Sequence, residues 1–192
     1  MINKFKHIVL VVLMLVTPLV KAQTDNEASH SLKIFIPEVA LLSIQSSSST
    51  NIVFKAKAEP VVGKAVLFNE TNNSIWINYS SIIGSKSEPF RVVTVQISNG
   101  EVLKGLNLYA KASKDADKGD GKVGNPVGEK KVLTHNPVVL INYIGSSYTG
   151  VGVNRGHNIE YSLEVTNEKD LYSKLNSNNI EPLTITYTLS DN

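Results

Sequence analysis

Hydrophobic and polar residues alternate in short runs along most of the chain. "SLKIFI" sets Leu32, Ile34 and Ile36 on one face, and "NIVFKAKA" does the same for Ile52, Phe54, Ala56 and Ala58. "SIWINYS" groups Ile75, Ile77 and Tyr79 with Trp76 opposite, and "RVVTVQIS" groups Val93, Val95 and Ile97. "GLNLYAKA" aligns Leu106, Leu108, Ala110 and Ala112; "VVLIN" and "EYSLEV" add two more runs. The chain closes on "LTITYTLSDN", where Leu183, Ile185, Tyr187 and Leu189 oppose Thr184, Thr186, Thr188 and Ser190. A period of two over four to eight residues predicts half-buried strands.

The connectors carry turn chemistry. "NETNNS" (Asn69 to Ser74), "IGSKSEP" (Ile83 to Pro89) and "SNGE" (Ser98 to Glu101) concentrate Asn, Gly, Ser and Pro. "SNG" between "TVQI" and "VLKGLNLY" predicts a hairpin, because Asn-Gly accepts the positive φ of a tight turn. "SSSST" (Ser46 to Thr50) reads as an exposed loop. Only "NEKDLYSKL" (Asn167 to Leu175) has helical spacing, through Leu171, Tyr172 and Leu175, with Asn167 as its cap. Many strands and one short helix define an all-β fold. Uneven strand and loop lengths favour an immunoglobulin-like or pilin-like β-sandwich over a regular barrel.

The first residues bear on compartment. Met1 to His7 holds Lys4 and Lys6 and no acid; Ile8 to Val16 is unbroken and apolar; Pro18 and "VKA" (Val20 to Ala22) follow. This is the pattern of a secretory signal peptide over 1–22, cut after Ala22. The apolar run is too short for a spanning helix, which needs roughly 20 residues. The expected mature chain, 23–192, is a single domain with no later stretch apolar enough for membrane insertion, so its place is the periplasm, the cell surface or the medium.

The leader takes three of the 19 basic residues with it, leaving sixteen against 17 acidic, so the net charge moves from +2 to −1. No basic face remains for nucleic acid or for an anionic membrane. With no cysteine, thiol catalysis, zinc–thiolate sites and iron–sulfur clusters are excluded, and an exported chain must rest on packing and sheet hydrogen bonds.

Candidate chemistry is sparse. "KDADKGDGKVGNP" (Lys114 to Pro126) clusters Asp115, Asp117 and Asp120, as a calcium loop would. The spacing fails, with Gly119 and Pro126 where oxygen ligands belong, and the stretch reads as a mobile loop tip without metal. His30, His135 and His157 lie far apart without metal-ligand spacing, and no serine has nucleophile-elbow surroundings. "SSYTGVGVNRGHN" (Ser146 to Asn158) has Gly150, Gly152 and Gly156 but no Lys-Ser/Thr, so it reads as a long turn rather than a phosphate loop. Asn69, Asn72 and Asn78 occupy Asn-x-Ser/Thr sequons. These features predict a protein that is not an enzyme and holds no cofactor.

"HSLKIFIPEVALLSI" and the closing "LTITYTLSDN" resemble the two ends of chaperone–usher fimbrial subunits of the alpha type. There, an N-terminal strand precedes a proline-broken second strand, and a periplasmic chaperone holds the final strand by alternate hydrophobic residues. The resemblance covers the ends, and the middle only by strand content. It implies a donor strand at Leu32, Ile34 and Ile36, a chaperone- or subunit-contact strand at Leu183, Ile185, Tyr187 and Leu189, and partners that are identical or related subunits and a periplasmic chaperone. The chain end is also similar to that of cell-wall-binding sandwich domains named for a Trp-x-Leu motif, but the only tryptophan here reads Trp76-Ile77-Asn78.

Physics gives the donor reading its logic. An unpaired sheet edge is a liability in water, and a neighbour's free strand can fill it with main-chain hydrogen bonds and alternate side chains. The plainer alternative makes Leu32 to Ile36 the first strand of a self-contained domain. The expected function is therefore an exported structural or adhesive protein, assembled as a fimbrial subunit by strand complementation. The alternative is a β-sandwich module that binds a glycan or envelope component through exposed aromatics, with Tyr143, Tyr148 and Trp76 as candidates.

Overall fold

A computed structural model describes residues 27–68, 70–84, 89–176 and 181–192. The predicted leader and the sequon at Asn69 lie outside the described residues. The chain divides into two units, 1–35 and 36–192. In the first, the described residues form no helix or strand and are all exposed.

The described residues of the second unit form nine strands and one helix. The strands are β1 (Val39–Ser46), β2 (Thr71–Ile82), β3 (Arg91–Asn99), β4 (Leu106–Asp115), β5 (Asp120–Pro126), β6 (Lys131–Val132), β7 (Val138–Tyr148), β8 (His157–Val165) and β9 (Thr184–Asp191). The helix α1 spans Glu168–Tyr172, and Asn167 caps it by accepting from the Asp170 N–H. All pairings are antiparallel, in one open sheet of order β6-β4-β8-β2-β7-β3-β9, with β1 on β2 and β5 on β7.

Two blocks of strands meet at a narrow joint. β1, β2, β8, β4 and β6 pair in succession, as do β5, β7, β3 and β9. Among the described residues their ladders join only where Ser80 and Ser81 of β2 face Tyr148 and Ser147 of β7. One buried cluster draws on both blocks: Ile75, Ile77 and Tyr79 of β2, Val93, Val95 and Ile97 of β3, Leu108, Ala110 and Ala112 of β4, and Ile141, Ile144 and Ile159. The alternation in β2, β3 and β4 therefore marks the face that meets this cluster, although β2 also buries Ser74, Asn78 and Ser81 and β3 buries Arg91.

Four expectations need correction. "SLKIFI" is not a strand, and Leu32, Ile34 and Ile36 are 79%, 76% and 67% exposed. "NIVFKAKA" packs Ile52 and Phe54 on the core but makes only a single bridge, Lys57 to Leu67. Its Lys55 N–H donates instead to the Glu70 carboxylate at 2.9 Å, which satisfies the backbone without a ladder. "SNG" does not close a hairpin: β3 lies between β7 and β9, and β4 pairs with β8 and β6. Gly100 does take the expected positive φ, +80°, but the chain leaves for the other block. Finally, the stretch read as a loop tip contains β5. There Gly119 lets the chain lie where a Cβ would stand 1.7 Å from the Tyr148 carbonyl oxygen.

Candidate functional site

The two edge strands β1 and β9 carry apolar side chains that the core covers only in part, and the seam they border is the candidate site. In the backbone ladder β1 pairs only with β2, and β9 only with β3, among the described residues. Leu42 and Ile44 share a face of β1; Leu42 packs on the core, yet Ile44 is 40% exposed. On β9, Leu183, Ile185, Tyr187 and Leu189 pack against the core while only partly buried. A closed core would cover all of these, since each large side chain gains about 1.5–3 kcal/mol on full burial.

One end of this seam is fixed by Arg91, which is buried. Its guanidinium donates to Asp191 Oδ1 from Nε at 2.8 Å, to Glu38, to the Val39 and Ile82 carbonyls, and to Ser81 Oγ at 3.1 Å. The bonds gather the start of β1, the end of β2, the start of β3 and the end of β9. β1 leaves this corner while β9 arrives at it, so both edges run from one anchored point. Arginine suits the role because its planar fork serves several acceptors at once.

Further along β9, the Tyr187 and Tyr161 hydroxyls bond to each other. Burial pushes the Tyr161 phenol up to about 12, with the Tyr187 bond pulling the other way. Tyr187 is raised well above its usual value by burial and then by Tyr161.

A second polar cluster is buried under β4 and β5. His157 is fully buried, with Nδ1 2.8 Å from the Ser113 carbonyl oxygen and Nε2 2.8 Å from the Tyr79 hydroxyl. Tyr79 also donates to the Val123 carbonyl. Burial raises the Tyr79 phenol, and the Asp115 carboxylate adds to the rise. Every contact is to backbone or to a buried group, so the cluster staples β2, β4, β5 and β8 together.

The remaining predicted residues are spread out. Asp115 Oδ2 accepts from the Asp117 N–H at 2.8 Å, a local turn. No group of three or more acidic or histidine residues is arranged to hold a metal among the described residues. Asn78, in a sequon, is buried; its amide donates to the Arg155 carbonyl and accepts from the Gly152 N–H, so it holds the 149–156 turn. Trp76 is half-buried, whereas Tyr143 and Tyr148 are 51% and 54% exposed. The missed residue is Arg91: a lone arginine opening an apolar strand is the signal that could have found it.

The chain matches no protein-family model, no curated protein and no solved structure.

Proposed function

We propose that this is an exported, non-enzymatic structural or adhesive subunit that assembles by strand complementation. In this reading the two strand blocks lie over each other as the layers of a pilin-like sandwich. One copy's N-terminal segment adds as a strand along the β1–β9 seam of the next, and a periplasmic chaperone guards the same seam before assembly.

The exposure of Leu32, Ile34, Phe35 and Ile36 carries the reading, at 67–83%. A run of large apolar side chains left in water is costly unless something covers it, and alternation at Leu32, Ile34 and Ile36 suits a strand with one buried face. The half-covered residues of β1 and β9 supply a complementary surface. Lys33, between Leu32 and Ile34, would face solvent in an added strand.

A synthetic peptide of residues 27–38 tests this directly. Added to the chain lacking residues 23–36, it should raise the melting temperature in proportion to its concentration, because a ligand of the native state stabilises it. The same peptide with Ile34→Asp should have no effect. A wild-type peptide that leaves the melting temperature unchanged would contradict the proposal.

A further inference from the structure

Beside the joint of the two strand blocks lies an open groove of about 570 Å³, away from any residue used in the seam's apolar face. Its walls come from β1, β2, β5 and β7, so its groups stand on paired strands rather than on free loops. Gly121, at φ +87°, keeps β5 tight on β7: a Cβ there would stand 2.4 Å from the Ser146 carbonyl oxygen.

The lining combines three kinds of group. Tyr148 presents a ring that is 54% exposed, with no hydrogen bond to its hydroxyl among the described residues. Asp120 accepts from the Gly121 N–H at 2.7 Å through Oδ1, and Oδ2 has no partner among the described residues. The Ser80 hydroxyl is likewise unpaired there, and Ser146 Oγ accepts from the Ile83 N–H at 3.0 Å while keeping its own proton to donate. Val39 and Ile82 supply an apolar patch.

We propose that this groove binds a neutral saccharide. A pyranose offers an apolar C–H face for an aromatic ring and equatorial hydroxyls for a carboxylate and serines, which is the combination at hand. Among the described residues no Lys, Arg or His lines the groove and its one charge is negative, so anionic ligands are disfavoured. An exposed tyrosine on a strand loses little rotamer freedom on contact, which is why such rings recur in binding surfaces.

The test uses the mature chain, labelled with nitrogen-15, and two probes: maltotriose and the trimer of N-acetylglucosamine. Titration to millimolar concentration should shift the backbone amides of Gly121, Ser147 and Tyr148 together. Tyr148→Ala should weaken binding roughly three- to tenfold, and Asp120→Asn should weaken it while leaving the unperturbed spectrum folded. A response to maltotriose alone would assign neutral hexose chains, and a response to the N-acetylated trimer alone would assign envelope-type glycan; either supports the proposal. Silence with both probes, shifts centred elsewhere, or shifts indifferent to Tyr148→Ala would overturn it.

Discussion

Arg91 Nε and Asp191 Oδ1 lie 2.8 Å apart, which binds the first residue of β3 to the last residue of β9. The strand register places the same two residues opposite each other, and it continues without a shift from there to Ile97 and Ile185. The final strand is thus aligned from its far end by a charge as well as by its ladder.

Replacing Arg91 with Met should destabilise the protein by about 2–3 kcal/mol in urea denaturation. The guanidinium is buried, whereas Glu38 and Asp191 are 50% and 46% exposed, so water can partly solvate the abandoned carboxylates. That holds the cost below the roughly 3–5 kcal/mol of breaking a fully buried pair. Asp191→Asn should cost about 1 kcal/mol or less, because the amide oxygen can still accept. Equal effects for the two variants would contradict the described corner.

The Tyr161–Tyr187 pair predicts alkaline unfolding. Both phenols are raised in the folded protein, so the unfolded chain releases its protons first, near pH 10. Their contribution is intact below that value and is lost as pH rises toward the folded value of about 12 for Tyr161. Each should remove up to about 1.4 kcal/mol per pH unit in that window. Melting temperatures should be flat through neutral pH and fall above pH 10, and Tyr187→Phe should reduce the fall. A decline complete at lower pH would contradict the shielding of the two hydroxyls from water.

Gly119 and Gly128 separate close approach from backbone strain. A Cβ at Gly119 would stand 1.7 Å from the Tyr148 carbonyl oxygen, so Gly119→Ala should displace β5 and cost about 3 kcal/mol or more. At Gly128, φ is +82° but nothing lies within 4 Å, so Gly128→Ala should cost only about 1–2 kcal/mol. Thermal denaturation of the two variants checks the order.

The period-two pattern was legible wherever a strand has one face in the core. Ile75, Ile77 and Tyr79, or Leu106 to Ala112, lie inward as the alternation implies. It misled where alternation occurs without a partner. Ile52 and Phe54 touch the core with no ladder beside them, and Leu32 to Ile36 form no strand. The opposite error fell on β5, whose Asp, Lys, Gly and Pro residues lack strand propensity. It is a strand because glycines admit it against β7, an interaction no local window contains. "SNG" failed for a related reason: Asn-Gly reports a turn, but the pairing of β3 with β7 and β9 decides where the chain goes next. For the candidate site, the sequence marked the two terminal apolar runs, while the corner at Arg91 depends on four strand ends meeting.

Deletion of residues 23–36 from a chain starting at Gln23 is the measurement closest to the central claim, read by circular dichroism and size-exclusion chromatography. Leu32, Ile34, Phe35 and Ile36 are exposed, so their loss should leave the β-sheet spectrum and melting transition intact. The folded product should remain monomeric, whereas the chain starting at Gln23 should form higher oligomers. Ile185→Asp provides the contrast, because Ile185 packs on the core and a charge there should abolish folding. A folded deletion product that no longer assembles is the result the account predicts. An unfolded product, or one that assembles as well as the full chain, would contradict it.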